Sequence, residues 1–167
     1  ATVEFSTITG SPTIAAAIKR SGAAALRSNL SATTAYVTHI ASSHNLTLAT
    51  GVAKTAYFRC WVYAAALPLV TQTTILSLAD NGGTNLLEIR LNPDGTLELW
   101  NPVLGSQIGS DSSALSTDIW YCVEGYLTTN TSDQVTARGA RIDGAAEFAS
   151  NTGTTDAYTA SGSAIRY

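Results

Sequence analysis

Short alternating segments separated by turn signals fill the middle of the chain, over residues 57–127. In the clearest segment, residues 86–91, leucine and isoleucine alternate with Glu88 and Arg90. A period of two residues is typical of a strand with one buried face, whereas a helix repeats every 3.6 residues. The next four residues, 92–95, read Asn-Pro-Asp-Gly, a sequence that favours a tight reversal of the chain. The two segments that flank this turn are therefore predicted to form a hairpin.

About nine or ten such segments follow one another at a spacing near ten residues, which is typical of a β-sandwich or jelly roll. Residues 21–29 contain good helix formers, but a lone helix of this length would be marginal, and a strand is favoured. We expect polar loops at 105–118 and 149–163. The sequence thus predicts an all-β, two-sheet antiparallel β-sandwich that forms a single domain over 1–167. The other predicted strands lie at 3–5, 35–40, 57–63, 74–78, 96–100, 119–127, 135–142 and from 165 onward.

Charged residues make up only 13% of the 167 residues, and the formal net charge is −3. A nucleic-acid-binding protein needs a basic patch to neutralise phosphates, and the longest basic run here is Lys19-Arg20. No apolar run approaches the roughly 20 residues that a membrane-spanning helix needs. Neither nucleic-acid binding nor membrane insertion is predicted. A surface rich in Thr, Ser and Ala favours an exposed or assembled protein.

The two cysteines, Cys60 and Cys122, lie on two of the best predicted strands. If those strands are neighbours, the pair could form a disulfide that closes a loop of about 60 residues and contributes up to roughly 4 kcal/mol. The alternative is a pair of small buried thiols. Zinc ligation is not predicted, because no Cys-x-x-Cys is present and His39 and His44 lie on another segment.

Four segments in a fixed order stand out: Tyr-Phe-Arg-Cys-Trp-Val at 57–62, Thr-Ile-Leu-Ser-Leu at 74–78, Leu-Glu-Ile-Arg-Leu-Asn-Pro-Asp-Gly-Thr-Leu-Glu-Leu at 87–99, and Leu-Ser-Thr-Asp-Ile-Trp-Tyr-Cys-Val-Glu at 115–124 with a later Ile-Asp-Gly. In this order they resemble the concanavalin A-like jelly-roll superfamily, in particular its laminin-G-like members. An upstream segment, Ser-Gly-Ala-Ala-Ala-Leu-Arg, also fits an early strand of that family. The resemblance covers most of the chain and implies two packed antiparallel sheets of six or seven strands each.

The resemblance also implies binding sites. Members of the superfamily bind sugars, and Trp100, Tyr63 and Tyr126 are the candidate platforms for a sugar ring, while Trp61 and Trp120 are expected in the core. Calcium is the common ion of the family and would be structural here. The candidate oxygen ligands are Asp80, Asn81, Asp111 and Asp118. The alternative is that these four are solvated turn residues.

Hydrolase branches of the superfamily carry paired carboxylates on one strand, close enough for retaining chemistry. The strand carboxylates of this chain are single, and Glu88 and Glu98 are expected on the solvent side of the hairpin. No Gly-x-Ser-x-Gly elbow is present. The sequence therefore predicts a protein that is not an enzyme.

The favoured hypothesis is a non-enzymatic surface module, a structural, decoration or adhesion protein on the virion of a bacterial virus. Its partners would be neighbouring copies in a homo-oligomer, other virion proteins, or cell-surface glycans, and its location a virion surface or an extracellular setting. A family domain normally has one or two strands beyond Tyr167, so an edge capped by a neighbouring subunit, or a shortened chain, is expected. The alternative is a secreted carbohydrate-binding module of a polysaccharide-active enzyme. A glycoside hydrolase ranks below both.

Overall fold

The computed structural model describes residues 7–9, 13–15, 17, 20, 25–27, 36–38, 51–80, 82–152 and 155–160. Every regular element in these ranges is a β-strand. The strands are β1 (Thr7–Thr9), β2 (Thr13–Ala15), β3 (Ala25–Arg27), β4 (Tyr36–Thr38), β5 (Lys54–Tyr63), β6 (Thr73–Ala79), β7 (Asn85–Leu91), β8 (Leu97–Asn101), β9 (Ser106–Ile108), β10 (Trp120–Thr129), β11 (Val135–Ile142) and β12 (Ala149–Thr152).

Two four-stranded antiparallel sheets pack face to face as a sandwich, which confirms the predicted fold class. Sheet 1 is a simple meander in the order β6-β7-β8-β9, and sheet 2 has the order β12-β11-β10-β5. The chain therefore leaves sheet 2 after β5, builds all of sheet 1, and returns to place β10 beside β5. Two further antiparallel pairs join β1 to β4 and β2 to β3.

The turn between β7 and β8 has the geometry that its sequence predicts. The amide of Gly95 donates to the carbonyl of Asn92 at 3.0 Å, and Gly95 has a φ of 89°. A side chain at Gly95 would also bring its Cβ within 2.9 Å of the Leu115 carbonyl oxygen. Only glycine satisfies both conditions, so this turn fixes the register of the hairpin.

The core lies between the two sheets and follows the alternation seen in the sequence. In β7, the side chains of Leu87, Ile89 and Leu91 are at most 5% exposed. Val123 and Leu127, on alternate positions of β10, are at most 1% exposed and belong to the same hydrophobic cluster. Strand alternation therefore gives each sheet one face in the core and one face outside.

An ion pair crosses this core. Arg138 points inward from β11, and its side chain and that of Asp156 are each 1% exposed. The guanidinium of Arg138 donates through Nη2 to Asp156 and through Nε to the backbone carbonyl of Leu86 in sheet 1, at 2.7 Å. Asn101 of β8 donates to the second carboxylate oxygen of Asp156 at 3.2 Å. This network joins both sheets to the segment 155–160.

Two predicted loops contain strands, so those predictions were wrong in part. The predicted loop 105–118 includes β9, which pairs with β8, and the predicted loop 149–163 includes β12, which pairs with β11. Of the three residues of β9 only Ile108 is buried. Strands this short, held by backbone hydrogen bonds, show too little alternation in the sequence to be recognised.

The weakly patterned N-terminal region is partly described. The strand favoured over a helix at 21–29 is confirmed at β3, and the strand expected at 35–40 is confirmed at β4. The expected strands at 3–5 and from 165 onward, together with His39, His44 and Asn81, lie outside the described residues.

Candidate functional site

Three neighbouring strands of sheet 2 line up in register, so their outward side chains form rows across the sheet. One row places Arg59 of β5, Glu124 of β10 and Arg141 of β11 side by side. The adjacent row on the same face contains Tyr57, Tyr126 and Gly139. We refer to this side, opposite to the core, as the outer face of sheet 2.

The charged row is an ion-paired triad. The Nε atoms of Arg59 and Arg141 donate to different oxygens of Glu124, each at 2.9 Å. Burial raises the pKa of Glu124, but the hydrogen bonds from Arg59 and Arg141 outweigh it, and the pKa lies below its ordinary value. The Glu124 side chain is only 13% exposed, whereas those of Arg59 and Arg141 are 67% and 47% exposed. Both guanidinium groups thus reach the surface from a shared, ionised carboxylate.

The aromatic row depends on Gly139. A Cβ at Gly139 would lie 2.4 Å from Cε1 of Tyr126, so the ring of Tyr126 occupies the space above this glycine. Tyr57, which is 81% exposed, lies on the other side with its ring centroid 6.1 Å from that of Tyr126. Burial, followed by the charge of Glu147 and by Tyr57, raises the pKa of Tyr126. Because residue 139 has no side chain, the Tyr126 ring can lie directly over the backbone of β11.

The two rows line one open concavity of about 660 Å³. Glu147, from the turn before β12, contributes a second carboxylate to its lining. At the far edge, the hydroxyls of Thr55 and Thr128 lie 2.9 Å apart. The concavity therefore combines a flat ring, two guanidinium groups and hydroxyls, a combination suited to a ligand that is partly apolar and partly polar.

Beyond the triad, the same face continues with more aromatic side chains. The guanidinium of Arg20 lies 3.3 Å from the centre of the Trp61 ring, and Trp61 is still 40% exposed. The rings of Tyr63 and Trp120 are 5.3 Å apart, and the Tyr63 hydroxyl donates to Asp118 at 2.8 Å. That hydrogen bond raises the pKa of Tyr63.

The expected core positions of Trp61 and Trp120 were wrong. Both side chains belong to the outer face, because they alternate in phase with Arg59 and Glu124 and out of phase with core residues such as Val123. Tryptophan is large and apolar, so its presence in a strand suggested burial. Successive side chains of a strand point to opposite faces, however, and the position of each tryptophan in this alternation directs it outward.

The three candidate sugar platforms fall on two different sheets. Tyr126 and Tyr63 share the outer face of sheet 2, six residues apart along the register of β5 and β10. Trp100 lies on the outer face of sheet 1, opposite Glu88, with the guanidinium of Arg90 4.0 Å from its ring centre. The structure therefore places two of the three on one face, about 20 Å apart along the strands, and the third on the other sheet. Only Tyr126 lines the concavity.

The two cysteines lie on neighbouring strands but on opposite faces of sheet 2. Cys60 opposes Val123, which points into the core, and Cys122 opposes Trp61, which points outward. Both are free thiols, and thiols on opposite faces lack the close Cβ approach that a disulfide needs. Burial, followed by the neighbouring Cys122, raises the pKa of Cys60 to about 11.

The three candidate calcium ligands that the structure describes, Asp80, Asp111 and Asp118, each accept hydrogen bonds within the fold. Asp80 accepts hydrogen bonds from the Thr84 amide and the Tyr158 hydroxyl, and Asp111 accepts one from Gln107 at 2.6 Å. Asp118 accepts the hydrogen bond from Tyr63. Within the described ranges, no three His, Cys, Asp or Glu side chains come close enough to hold a metal ion.

Glu88 and Glu98 share the outer face of sheet 1, as expected, yet each is only 8% exposed. Glu88 accepts hydrogen bonds from Asn85 at 2.8 Å and from Arg90 at 2.7 Å. Oε1 of Glu98 has no hydrogen-bond partner in the described structure. Burial, with a smaller contribution from Asp111, raises the pKa of Glu98 above its ordinary value despite the opposing effect of Arg90.

Sequence reasoning missed most of the concavity, namely Tyr57, Arg59, Arg141 and Gly139. Alternation alone placed Tyr57 and Arg59 on one face of β5, so part of the signal was present. The sequence does not show which strands pair with β5. Nothing local to residues 57–59 indicates that β10 and β11, more than 60 residues later, complete the rows.

No protein-family model matches the chain, and a search of curated proteins also finds no match. None of the described residues belongs to a helix that is long and apolar enough to cross a membrane. The function must therefore be inferred from the geometry of the outer face of sheet 2.

Proposed function

We propose that this protein is a non-catalytic surface module that acts by contact, through the outer face of sheet 2. The observation that carries the proposal is the concentration of exposed aromatic and guanidinium groups on this one face. Tyr57, Trp61 and Arg59 all project from β5, and the ring of Tyr126 and the fork of Arg141 extend the same surface. Aromatic side chains and arginine are the residue types enriched where proteins bind partners.

The charges on this face support contact rather than turnover. A retaining glycosidase needs two carboxyl groups about 5 Å apart that are free to react. Both oxygens of Glu124 are instead bound by Arg59 and Arg141, and Glu88 of sheet 1 is bound by Arg90 and Asn85. The two ion pairs favour the ionised form of Glu124, whereas the general acid of a glycosidase pair must carry a proton.

We place the module on the surface of a virion, as a decoration or adhesion protein in a homo-oligomer, within the concanavalin A-like, laminin-G-like superfamily. The low charged fraction of 13% suits a packed assembly. A jelly roll passes its chain between two sheets, and the return of β10 to the side of β5 after the meander of sheet 1 is one such passage. Such a route closes both sheets around one core.

Particle fractionation and light scattering test this function. Density-gradient fractions of particles from the producing cells should contain the protein, and the purified chain should be oligomeric or bind those particles. A Tyr57→Ser, Trp61→Ser variant should lose most of that association. Leu104→Ser is the control, since Leu104 is 56% exposed but lies beyond the end of β8 in sheet 1. A monomer that is absent from every particle fraction would contradict the proposal.

A secreted carbohydrate-binding module is the second candidate, and the ring of Tyr126 resting on Gly139 favours it. Flat exposed rings beside polar groups suit the alternating apolar and hydroxyl surfaces of a sugar. A glycan array should then show binding that Tyr126→Ala abolishes. Trp100→Ala, on the outer face of sheet 1, separates the two surfaces, because loss in this variant alone would assign the sugar to sheet 1.

A further inference from the structure

The two arginines of the triad hold hydrogen-bond donors that the protein does not use. A guanidinium carries five N–H donors, and Glu124 accepts only the Nε–H of Arg59 and the Nε–H of Arg141. No terminal nitrogen of either arginine has a hydrogen-bond partner in the described part of the chain. Each arginine thus presents four N–H donors, in the fork geometry that matches an oxyanion.

The local charge favours an anion over a neutral group at the triad. Two permanently charged guanidinium groups share one carboxylate, so Arg59, Glu124 and Arg141 together carry one uncompensated positive charge. Glu147 lies in the same lining, so the four charged groups of the lining sum to zero. Glu147 is on an exposed turn and forms no ion pair with Arg59 or Arg141 in the described structure, so the triad itself keeps its positive charge.

The spacing of these groups matches a saccharide. Arg59 and Arg141 converge from strands on either side of β10, with each Nε 2.9 Å from the Glu124 carboxylate, so one acidic group can contact both guanidinium groups. The Tyr57–Tyr126 row lies two residues along the strands, about 7 Å from the triad. A ring stacked on Tyr126 would therefore place a substituent at the arginine forks. The hydroxyls of Thr55 and Thr128 border the opposite side of the ring.

We infer that the concavity on the outer face of sheet 2 binds a saccharide bearing a carboxylate or sulfate, stacked on Tyr126 with its acidic group held by Arg59 and Arg141. This inference rests on the proposed contact function, for which it names the ligand class. Gly139 is part of the site, because the Tyr126 ring occupies the space that a side chain at position 139 would fill. Glu124 is a positioning residue that directs both guanidinium groups into the concavity.

Titration calorimetry of the full chain with three defined oligosaccharides tests the inference. The probes are hexagalacturonate, which carries carboxylates, a κ-carrageenan hexasaccharide, which carries sulfates, and neutral cellohexaose. At least one acidic probe should bind about tenfold or more tightly than the neutral one, and its affinity should fall as salt is raised. Binding of hexagalacturonate alone assigns a carboxylate, and binding of carrageenan alone assigns a sulfate.

Variants identify the groups involved. Arg59→Gln and Arg141→Gln should each weaken the acidic probe about tenfold or more, and Glu147→Gln should strengthen it, with little change for cellohexaose. Gly139→Ala should weaken the same probe by tilting the Tyr126 ring, without removing any polar group. Gln107→Ala, on the outer face of sheet 1, is the matched control and should change nothing. Melting temperatures show that each variant is folded.

Equal affinity for all three probes, or acidic binding that persists in both arginine variants, would overturn the inference. Absence of binding to every probe would also overturn it. That last result would leave the contact function intact if the Tyr57→Ser, Trp61→Ser variant still lost its association with particles. The two proposals therefore fail separately.

Discussion

The buried ion pair between Arg138 and Asp156 gives a sharp prediction for stability. In the Asp156→Ala variant, the guanidinium of Arg138 would stay in a site where its side chain is 1% exposed, with only the carbonyl of Leu86 as acceptor. Removing one partner of a buried ion pair costs about 3–5 kcal/mol, because the other charge is left uncompensated. Single domains have about 5–15 kcal/mol of unfolding free energy in total. The variant should therefore lose about a fifth or more of its stability.

For a domain of this size, 1 kcal/mol corresponds to a change of about 2–4 °C in melting temperature, so Asp156→Ala should lower it by roughly 6–20 °C. Urea unfolding monitored by tryptophan fluorescence gives the free energy, and thermal unfolding gives the temperature. A hydrophobic double variant, Arg138→Met with Asp156→Leu, should lose less than Asp156→Ala, since both charges are gone. Its remaining cost comes from Asn101, which loses its acceptor.

A double-mutant cycle, with Arg138→Met and Asp156→Leu as its two single variants, decides the outcome. If the cost of the double variant equals the sum of the two single costs, the side chains are not coupled and the reasoning fails. A loss below about 1 kcal/mol in Asp156→Ala would refute it directly, because such a value is typical of an exposed ion pair.

Three further predictions concern other buried groups. Gly125→Ala should lower the unfolding free energy by about 1–3 kcal/mol or more in urea titrations, since its Cβ would lie 2.2 Å from Cζ of Phe58, and an unchanged midpoint would contradict this. The pKa of Glu98 is raised in the folded protein, so its contribution to stability is present at low pH and is lost as pH rises through the folded pKa. The free energy of unfolding of Glu98→Gln, relative to that of the wild type, should therefore be higher at pH 7.5 than at pH 4.5. Equal pH slopes of the urea midpoint in the two proteins would argue against this. In a Cys122→Ser background the effect of Cys122 on the pKa is gone but burial, the larger cause, remains, so alkylation of Cys60 at pH 8 should be about tenfold or more slower than that of free cysteine. Labelling as fast as that of free cysteine would show that the thiol is accessible and ionised.

The sequence predicts the elements of the fold well where side chains alternate. The buried face of β7 is predicted by the spacing of Leu87, Ile89 and Leu91, and the hairpin is predicted by the Asn-Pro-Asp-Gly turn. Both patterns lie within a few residues of sequence. The short strands β9 and β12 escape notice, since backbone hydrogen bonds to β8 and β11 hold them and their side chains carry little pattern.

The candidate site is less predictable because it depends on contacts between distant strands. The triad forms only when β5 lies beside β10, which is a contact between residues 59 and 124. Tyr126 was predicted as a platform from its residue type, but its orientation depends on Gly139, a glycine that nothing in the sequence distinguishes from the others. Arg138 is similar, since a strand arginine usually points to solvent, and only the position of Asp156 makes its burial possible.

Arg138 and Gly139 are consecutive residues of β11, and strand alternation directs the first into the core and the second to the surface. The backbone that supports the Tyr126 ring is therefore tied, one residue away, to the carbonyl of Leu86 in the opposite sheet. The proposed binding surface is preorganised by this anchor, so a ligand would require little rearrangement of the protein. A substitution that disrupts the core contacts of Arg138 should consequently reduce the affinity of the outer face of sheet 2 for its ligand, even though no residue that contacts the ligand has changed.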